Sequence, residues 1–157
     1  MHKRWLIVAD VDAHRLALAD QLGAAATVNS SQGDAAKRIL ELTGGRGVDV
    51  AIEAVGVPAT FVLCQDIVAP GGVVANVGVH GTKVDLHLEK LWSANITITT
   101  RLVDTITTPM LLKALAGGKV DAKPLITHHF PSKRILDAYE TFAHAGESHA
   151  LKVIIDF

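Results

Sequence analysis

Trp5-Leu6-Ile7-Val8-Ala9-Asp10, running on into Val11-Asp12-Ala13-His14-Arg15-Leu16, is the stretch whose reading decides the fold. Its five consecutive apolar residues are too few to span a membrane and are bounded by polar ones, so they read as a strand buried on both faces. An acid stands at the carboxyl end of that strand. Asp12 is then placed to cap a helix in which Leu16, Ala19 and Leu22 recur at helical spacing, and Gly23 falls where a left-handed residue closes it. Ala26-Thr27-Val28-Asn29 reads as the next strand, and Ser31 or Asp34 opens a helix with Ala35, Ile39 and Leu42 on one face, stopped by Gly44-Gly45.

The alternation continues outward. Val48 to Glu53 is a strand ending in Ala54-Val55-Gly56, and Pro58 suits the first turn of a helix reaching about Val68. Pro70-Gly71-Gly72 reads as a turn before the strand Val73 to Val77, which ends in Gly78-Val79-His80-Gly81. Leu88 to Trp92 suggests a short helix. Ile96 to Thr100 alternates apolar and polar residues, the pattern of an edge strand. Thr108-Pro109 caps a helix ending at Gly117-Gly118, Leu125 to Phe130 is extended, Ser132 opens a helix carrying Ile135, Ala138, Tyr139 and Phe142, and Leu151 to Ile155 is the last strand. The whole predicts an α/β fold with a mainly parallel sheet and helices on both faces.

Composition bounds the function. With 157 residues, 49% hydrophobic and 20% charged, the chain is long enough for a substantial core. A net charge of −1 offers no field for nucleic acid or anionic lipid, and no apolar run approaches the roughly 18 residues of a membrane span. The single cysteine, Cys64, cannot form an internal disulfide and reads as a core thiol, in keeping with a cytoplasmic protein. Small molecules and protein are the expected partners.

In a Rossmann half, an acid at the tip of the second strand accepts hydrogen bonds from the adenosine ribose and repels the extra phosphate of NADP. Asp10 stands there, which points to NAD; its alternative is helix N-terminal charge, for which Asp12 is better placed. A first strand and a Gly-x-Gly-x-x-Gly turn should come before it, but only Met1 to Arg4 do. Gly56 and Gly78 follow successive strands, where an open α/β sheet admits a ligand to the backbone. Asp49 and Glu53, roughly 13 Å apart along a strand, read as solvated charges rather than an acid–base pair. His80 and His87 follow a strand end, where they either approach a ligand or, the favoured reading, are solvated loop histidines, and the adjacent His128 and His129 should face opposite ways, poor geometry for one metal.

The blocks "IVADVDAHRLALADQLGAAATVN", "GGRGVDVAIEAVG", "APGGVVANVGVHG", "ITITTRLVDT" and "LITHHFPSKRILDAYETF", in that order and spacing, resemble the carboxyl-terminal, NAD-binding half of a zinc-type medium-chain alcohol dehydrogenase. The resemblance implies a Rossmann-type fold lacking its first strand and glycine-rich turn. It divides the chain into a truncated dinucleotide-binding domain, 1–124, and a carboxyl-terminal segment, 125–157, that would pack on a catalytic domain. It assigns Asp10 to the adenosine ribose, Val55 and Gly56 beside the adenosine and ribose, Val77, Gly78 and Val79 against the nicotinamide, and Leu102 with Val103 near the carboxamide.

In the intact family enzyme a small alcohol gives its hydride to NAD and leaves as aldehyde or ketone, with zinc holding the alkoxide. The zinc ligands and proton relay of the family are not in this sequence. The chain alone is therefore expected to be inactive, zinc-free and a weak binder of NAD. The alternatives are a non-catalytic nucleotide-binding or dimerisation module, or a remnant of a truncated gene. A homo-oligomer is expected through the Ile96–Thr100 edge. The gap left by the first strand is expected either to close directly or to be filled by a strand from another copy.

Overall fold

A computed structural model describes residues 5–102 and 105–157. The chain divides into two compact units, 1–103 and 104–157. The first contains β1 (Ile7–Asp10), α1 (Ala13–Gln21), β2 (Ala26–Asn29), α2 (Ala35–Leu42), β3 (Val48–Glu53), α3 (Pro58–Ile67), β4 (Val68–Asn76), α4 (Leu88–Leu91) and β5 (Thr97–Thr100). Every strand pairing is parallel, and the architecture is an open, Rossmann-like α/β fold.

Local chemistry accounts for the element boundaries. Asp12 Oδ1 accepts the His14 and Arg15 N–H groups at 2.7 and 3.2 Å, capping α1. Asp34, not Ser31, caps α2 by accepting from Lys37 N–H at 3.0 Å. Pro58 sits in the first turn of α3, where its missing N–H costs nothing. Pro70-Gly71-Gly72 is not a free turn: it lies inside β4, where the pairing with β3 jumps from Val48–Val68 to Val50–Val73. The extra residues bulge out. Gly71 takes φ +76° and donates to the Ala94 carbonyl at 2.7 Å, and Gly72 has no room for a Cβ against Ala69 and Asp49 carbonyls.

The sheet of the first unit is interrupted. β1 pairs only with β2, and β3 only with β4, so two ladders stand side by side without joining among the described residues. Direct closure of the gap, one of the two expected outcomes, is thus not what the structure shows. A single core nevertheless serves both: Val28 of β2, Ile39 of α2, Ala51 of β3, Phe61, Cys64 and Ile67 of α3 and Val74 of β4 cluster, with Ile7 of β1 packed against them. Helices α2 and α3 hold the two ladders from one side.

The expectation that the Trp5–Ala9 strand is buried on both faces is overturned. Trp5 and Leu6 are exposed, Ile7 and Val8 half-buried, and Ala9 exposed. A strand with one neighbour and one helical cover cannot hide both faces. Likewise Ala51 and Glu53 of β3 are buried while Val50 and Ile52, on the alternate face, remain 51% and 62% exposed.

The second unit holds α5 (Thr108–Ala116), β6 (Ile126–Pro131), α6 (Ile135–Ala143), α7 (Ala145–Ser148) and β7 (Lys152–Asp156), with β6 and β7 parallel. Ala138 is buried; Tyr139 and Phe142 stay exposed and line an open groove with Leu151, Val153 and Ile155. By compactness α5 counts with this second unit. No helix among the described residues is long and apolar enough to cross a membrane.

Candidate functional site

Because the strands of each ladder are parallel, Asp10 closes the carboxyl end of β1, and Glu53 and Asn76 those of β3 and β4. Asp10 is half-buried, in register with Asn29. Its Oδ1 accepts the Asp12 N–H at 2.9 Å and its carbonyl accepts the Ser30 N–H at 3.0 Å. The acid therefore sits at the turn into α1, beside the residue that caps that helix.

Glu53 has the opposite environment. It is 1% exposed, and its Oε1 accepts the N–H groups of Val55 at 2.9 Å and Gly56 at 2.8 Å and the hydroxyl of Thr60 at 2.6 Å. Its backbone carbonyl accepts the Val77 and Gly78 N–H groups at 2.8 and 3.1 Å. Oε2 lies 3.3 Å from His80 Nε2. Burial pushes this carboxyl up, but the hydrogen bonds from Thr60, Gly56 and Val55 and the nearby His80 outweigh it, and the group lies below the ordinary glutamate range. It is a buried carboxylate, and its description as a solvated charge is wrong. Asp49 is the solvated one, 77% exposed at its side chain and paired with Arg46 at 2.7 Å. The signal was in the strand itself: Glu53 shares the i, i+2 face of Ala51, and a turn glycine and a threonine come after it within donor reach.

His80 is also misread as a solvated loop residue. Its side chain is only 15% exposed, meets Phe61 edge to face at 5.9 Å, and places Nε2 2.8 Å from Asn76 Oδ1. Asn76 Nδ2 donates to the Gly78 carbonyl at 3.0 Å. His87 pairs through its ring with Glu89 at 2.9 Å, and its N–H donates to Gln65 Oε1 at 2.8 Å. Cys64 is the buried core thiol expected of it; burial, then the Glu53 charge, pushes it up to about 11.

The two turns touch backbone to backbone. Gly56 has φ +87° and a Cβ there would run into the Val79 carbonyl; a Cβ on Gly78 would run into the Glu53 carboxylate and the Gly56 nitrogen. Around this contact Val55, Val77 and Val79 expose apolar surface, at 62%, 50% and 78%. Leu102 is 82% exposed. Val103 lies outside the described residues. In the second unit His129 pairs with Asp156 at 3.2 Å, and the His128 ring lies nearly parallel to Phe130. Among the described residues no three His, Cys, Asp or Glu side chains converge as a metal site would require, so no zinc chemistry is built on them.

An open parallel sheet with glycine turns at its strand ends is the frame of a nucleotide-binding dehydrogenase domain. The chain belongs to the zinc-binding dehydrogenase family, whose sequence model matches residues 6–117. It corresponds to the NAD-binding region of zinc-type medium-chain alcohol dehydrogenases. It is 31% identical over 96% of its length to an alcohol dehydrogenase of Cupriavidus necator, covering 42% of that protein. It is 32% identical to an L-idonate 5-dehydrogenase of Vitis vinifera, again over 96% of the chain and 42% of the relative. Among solved structures, a zinc-dependent alcohol dehydrogenase 2 from Streptococcus pneumonia, in its apo form, superposes with TM-score 0.91 at 50% identity, over 98% of this chain and 45% of that one. The chain spans less than half the length of these relatives.

Proposed function

We propose that the chain carries the cofactor side of an alcohol dehydrogenase reaction, holding NAD while a small alcohol is oxidised to aldehyde or ketone. The observation that carries this reading is the exposed valine surface of Val55, Val77 and Val79 around two glycines that leave no space for side chains. Apolar side chains on turns at the carboxyl ends of parallel strands suit the flat face of a nucleotide, and the glycines let it approach the backbone. The cradle fits the dinucleotide. When bound, NAD supplies the hydride acceptance itself.

Each residue then has its own role. Asp10 would accept hydrogen bonds from the adenosine ribose and disfavour a 2′-phosphate by charge. Val55 and Gly56 would flank the adenosine and ribose, and Val77, Gly78 and Val79 would back the nicotinamide. Leu102 and Val103 are assigned to the carboxamide end. Residues 125–157 would face a catalytic domain. The sequence holds no Gly-x-Gly-x-x-Gly turn to seat the pyrophosphate, so the dissociation constant should be on the order of millimolar. We also place a twofold contact between copies at the β5 edge, whose residues are all exposed.

Titration of the chain with NADH and NADPH, followed by nicotinamide fluorescence, tests this reading. NADH should bind more tightly, and Asp10→Ala should remove the preference. Equal binding of both, unchanged by Asp10→Ala, would show that this carboxylate is not a ribose ligand. The isolated chain should neither hold stoichiometric zinc nor reduce NAD with short-chain alcohols; activity that survives repurification would overturn its assignment to the cofactor side alone.

A further inference from the structure

We propose that Glu53 is a positioning residue: one buried carboxylate ties the turn after β3 to the loop after β4, and so sets the spacing of the two backbone surfaces on which the dinucleotide would lie. The inference rests on the function proposed above and assigns a role to a residue that touches no ligand in it.

The hydrogen bonds run in two directions from this residue. Oε1 gathers Val55 N–H, Gly56 N–H and the Thr60 hydroxyl, all belonging to the β3 turn and the helix after it. The backbone carbonyl gathers Val77 and Gly78, and Oε2 faces His80, all belonging to the β4 end. The Asn76 amide is oriented by its donation to the Gly78 carbonyl, so its Oδ1 is the acceptor facing His80 and Nε2 is the nitrogen that carries the proton. That N–H points at Asn76 Oδ1 and lies 3.3 Å from Glu53 Oε2 at its nitrogen. Oε2 accepts no hydrogen bond, and His80 Nδ1 has no hydrogen-bond partner either. The carboxylate is thus held by geometry on one oxygen and by the histidine's proximity on the other.

The spacing has no slack, because a single added methyl at Gly56 or Gly78 would strike the opposite turn. Yet Glu53 is no part of the apolar cluster formed by Val28, Ile39, Ala51, Phe61, Cys64, Ile67 and Val74. Its loss should therefore relax the turns more than the fold. Glutamine sharpens the point. The amide oxygen of Glu53→Gln can keep the three donors of Oε1, but its NH₂ then confronts the His80 N–H, donor against donor, so the side chain's contact with the β4 loop turns repulsive while the backbone bonds from Val77 and Gly78 remain.

Amide-resolved spectra of the whole chain and NADH titration test the proposal together. In Glu53→Gln the amides of Gly78, Val79 and His80 should move while that of Val28 stays, and the NADH dissociation constant should rise about tenfold, the scale of a buried donor left facing another donor. Asp49→Asn, which removes the same charge from an exposed position of the same strand, should change neither. Loop amides left in place, or loop amides that move while NADH affinity matches wild type, overturn the positioning role alone. A wild-type chain that binds no NADH overturns the proposed function, and the positioning of a ligand with it. Should Glu53→Gln not fold, His80→Phe serves instead: it keeps a ring against Phe61 and removes the N–H. It should move the Gly78 amide and weaken NADH about threefold, roughly the lower end for a neutral hydrogen bond such as that between His80 and Asn76; unchanged affinity overturns the proposal.

Discussion

Two strands of the first unit end in an acid, and the two acids have opposite fates. Asp10, at the end of β1, is half-buried and gives one oxygen to a single backbone N–H; Glu53, at the end of β3, is buried and gathers two N–H groups and a hydroxyl. The residues just past each acid make the difference. After Asp10 the chain enters α1 at once, and Asp12 takes the helix N–H groups, which leaves Asp10 carboxylate capacity for something else. After Glu53 the run Ala54-Val55-Gly56 turns back, and its left-handed glycine aims successive N–H groups at the strand end. An acid at a strand end thus keeps carboxylate capacity when the next helix brings its own cap, and is used up by the backbone when the next turn supplies the donors.

The largest effect should come from closing the space between the turns. Gly78→Ala sets a methyl into the Glu53 carboxylate and the Gly56 nitrogen and should cost about 3 kcal/mol or more in urea unfolding. On the β1 side, Gly23 has φ +95° and open space around it, so Gly23→Ala should cost only the backbone strain, about 1 kcal/mol. Equal costs would erase the contrast between the packed glycine after β4 and the open one that closes α1.

The free edges offer the next test. The slot between β1 and β3 and the outer edge of β5 both lack ladder partners among the described residues, but β5 is exposed at every position. Light scattering should find a dimer or larger assembly at tens of micromolar, and Ile98→Pro should dissociate it without unfolding the chain, because proline removes a ladder donor. A folded proline variant of unchanged size would move the contact to the slot.

Most elements were legible because α/β sequences mark them by period and punctuation. Asp12, Asp34, Pro58 and the glycines after the helices stand where capping rules want them. The burial of β1 was not legible, since five apolar residues announce a strand's preference and not whether a neighbour is present to satisfy it. The bulge at Pro70-Gly71-Gly72 was hidden for a related reason: turn residues within a strand and between strands look alike in one dimension. At the site, Glu53 and His80 escaped because their partners are backbone N–H groups and an asparagine brought in by a neighbouring strand. The i, i+2 relation of Glu53 to Ala51 and the glycine and threonine that come after it were the hints.

Acid should separate the two ends further. Glu53 lies below its ordinary range in the folded chain, chiefly against the opposing push of burial, through its bonds to Thr60, Gly56 and Val55. A depressed carboxyl stabilises the fold above the unfolded value, roughly 4.3, and loses that contribution as pH falls through the lower folded value. Wild type should therefore be more stable than Glu53→Gln at neutral pH by about 1–3 kcal/mol, the range for a hydrogen-bonded charge, with the gap narrowing below about pH 4. Chemical denaturation at a series of pH values measures it, and a gap that persists undiminished in acid would mean that shape rather than charge is what the position requires.

The smallest effect concerns Cys64, which reports on the Glu53 charge from within the core. Burial is the main reason its thiol is pushed up to about 11, and the Glu53 carboxylate adds to it. The sign is opposite to that of the carboxyl. The unfolded thiol ionises near 8.5 while the folded one keeps its proton, so stability falls as pH rises from about 8.5 toward the folded value. Glu53→Gln removes the second cause and leaves the first. The thiolate absorbance should then appear at a pH lower by at most about one unit, the scale of one charge acting through protein. Asp10→Asn, on the other ladder and outside the cluster around Cys64, should leave the titration where it is. A Cys64 titration that ignored Glu53→Gln and moved with Asp10→Asn would mean that the buried charge belongs to the wrong strand end.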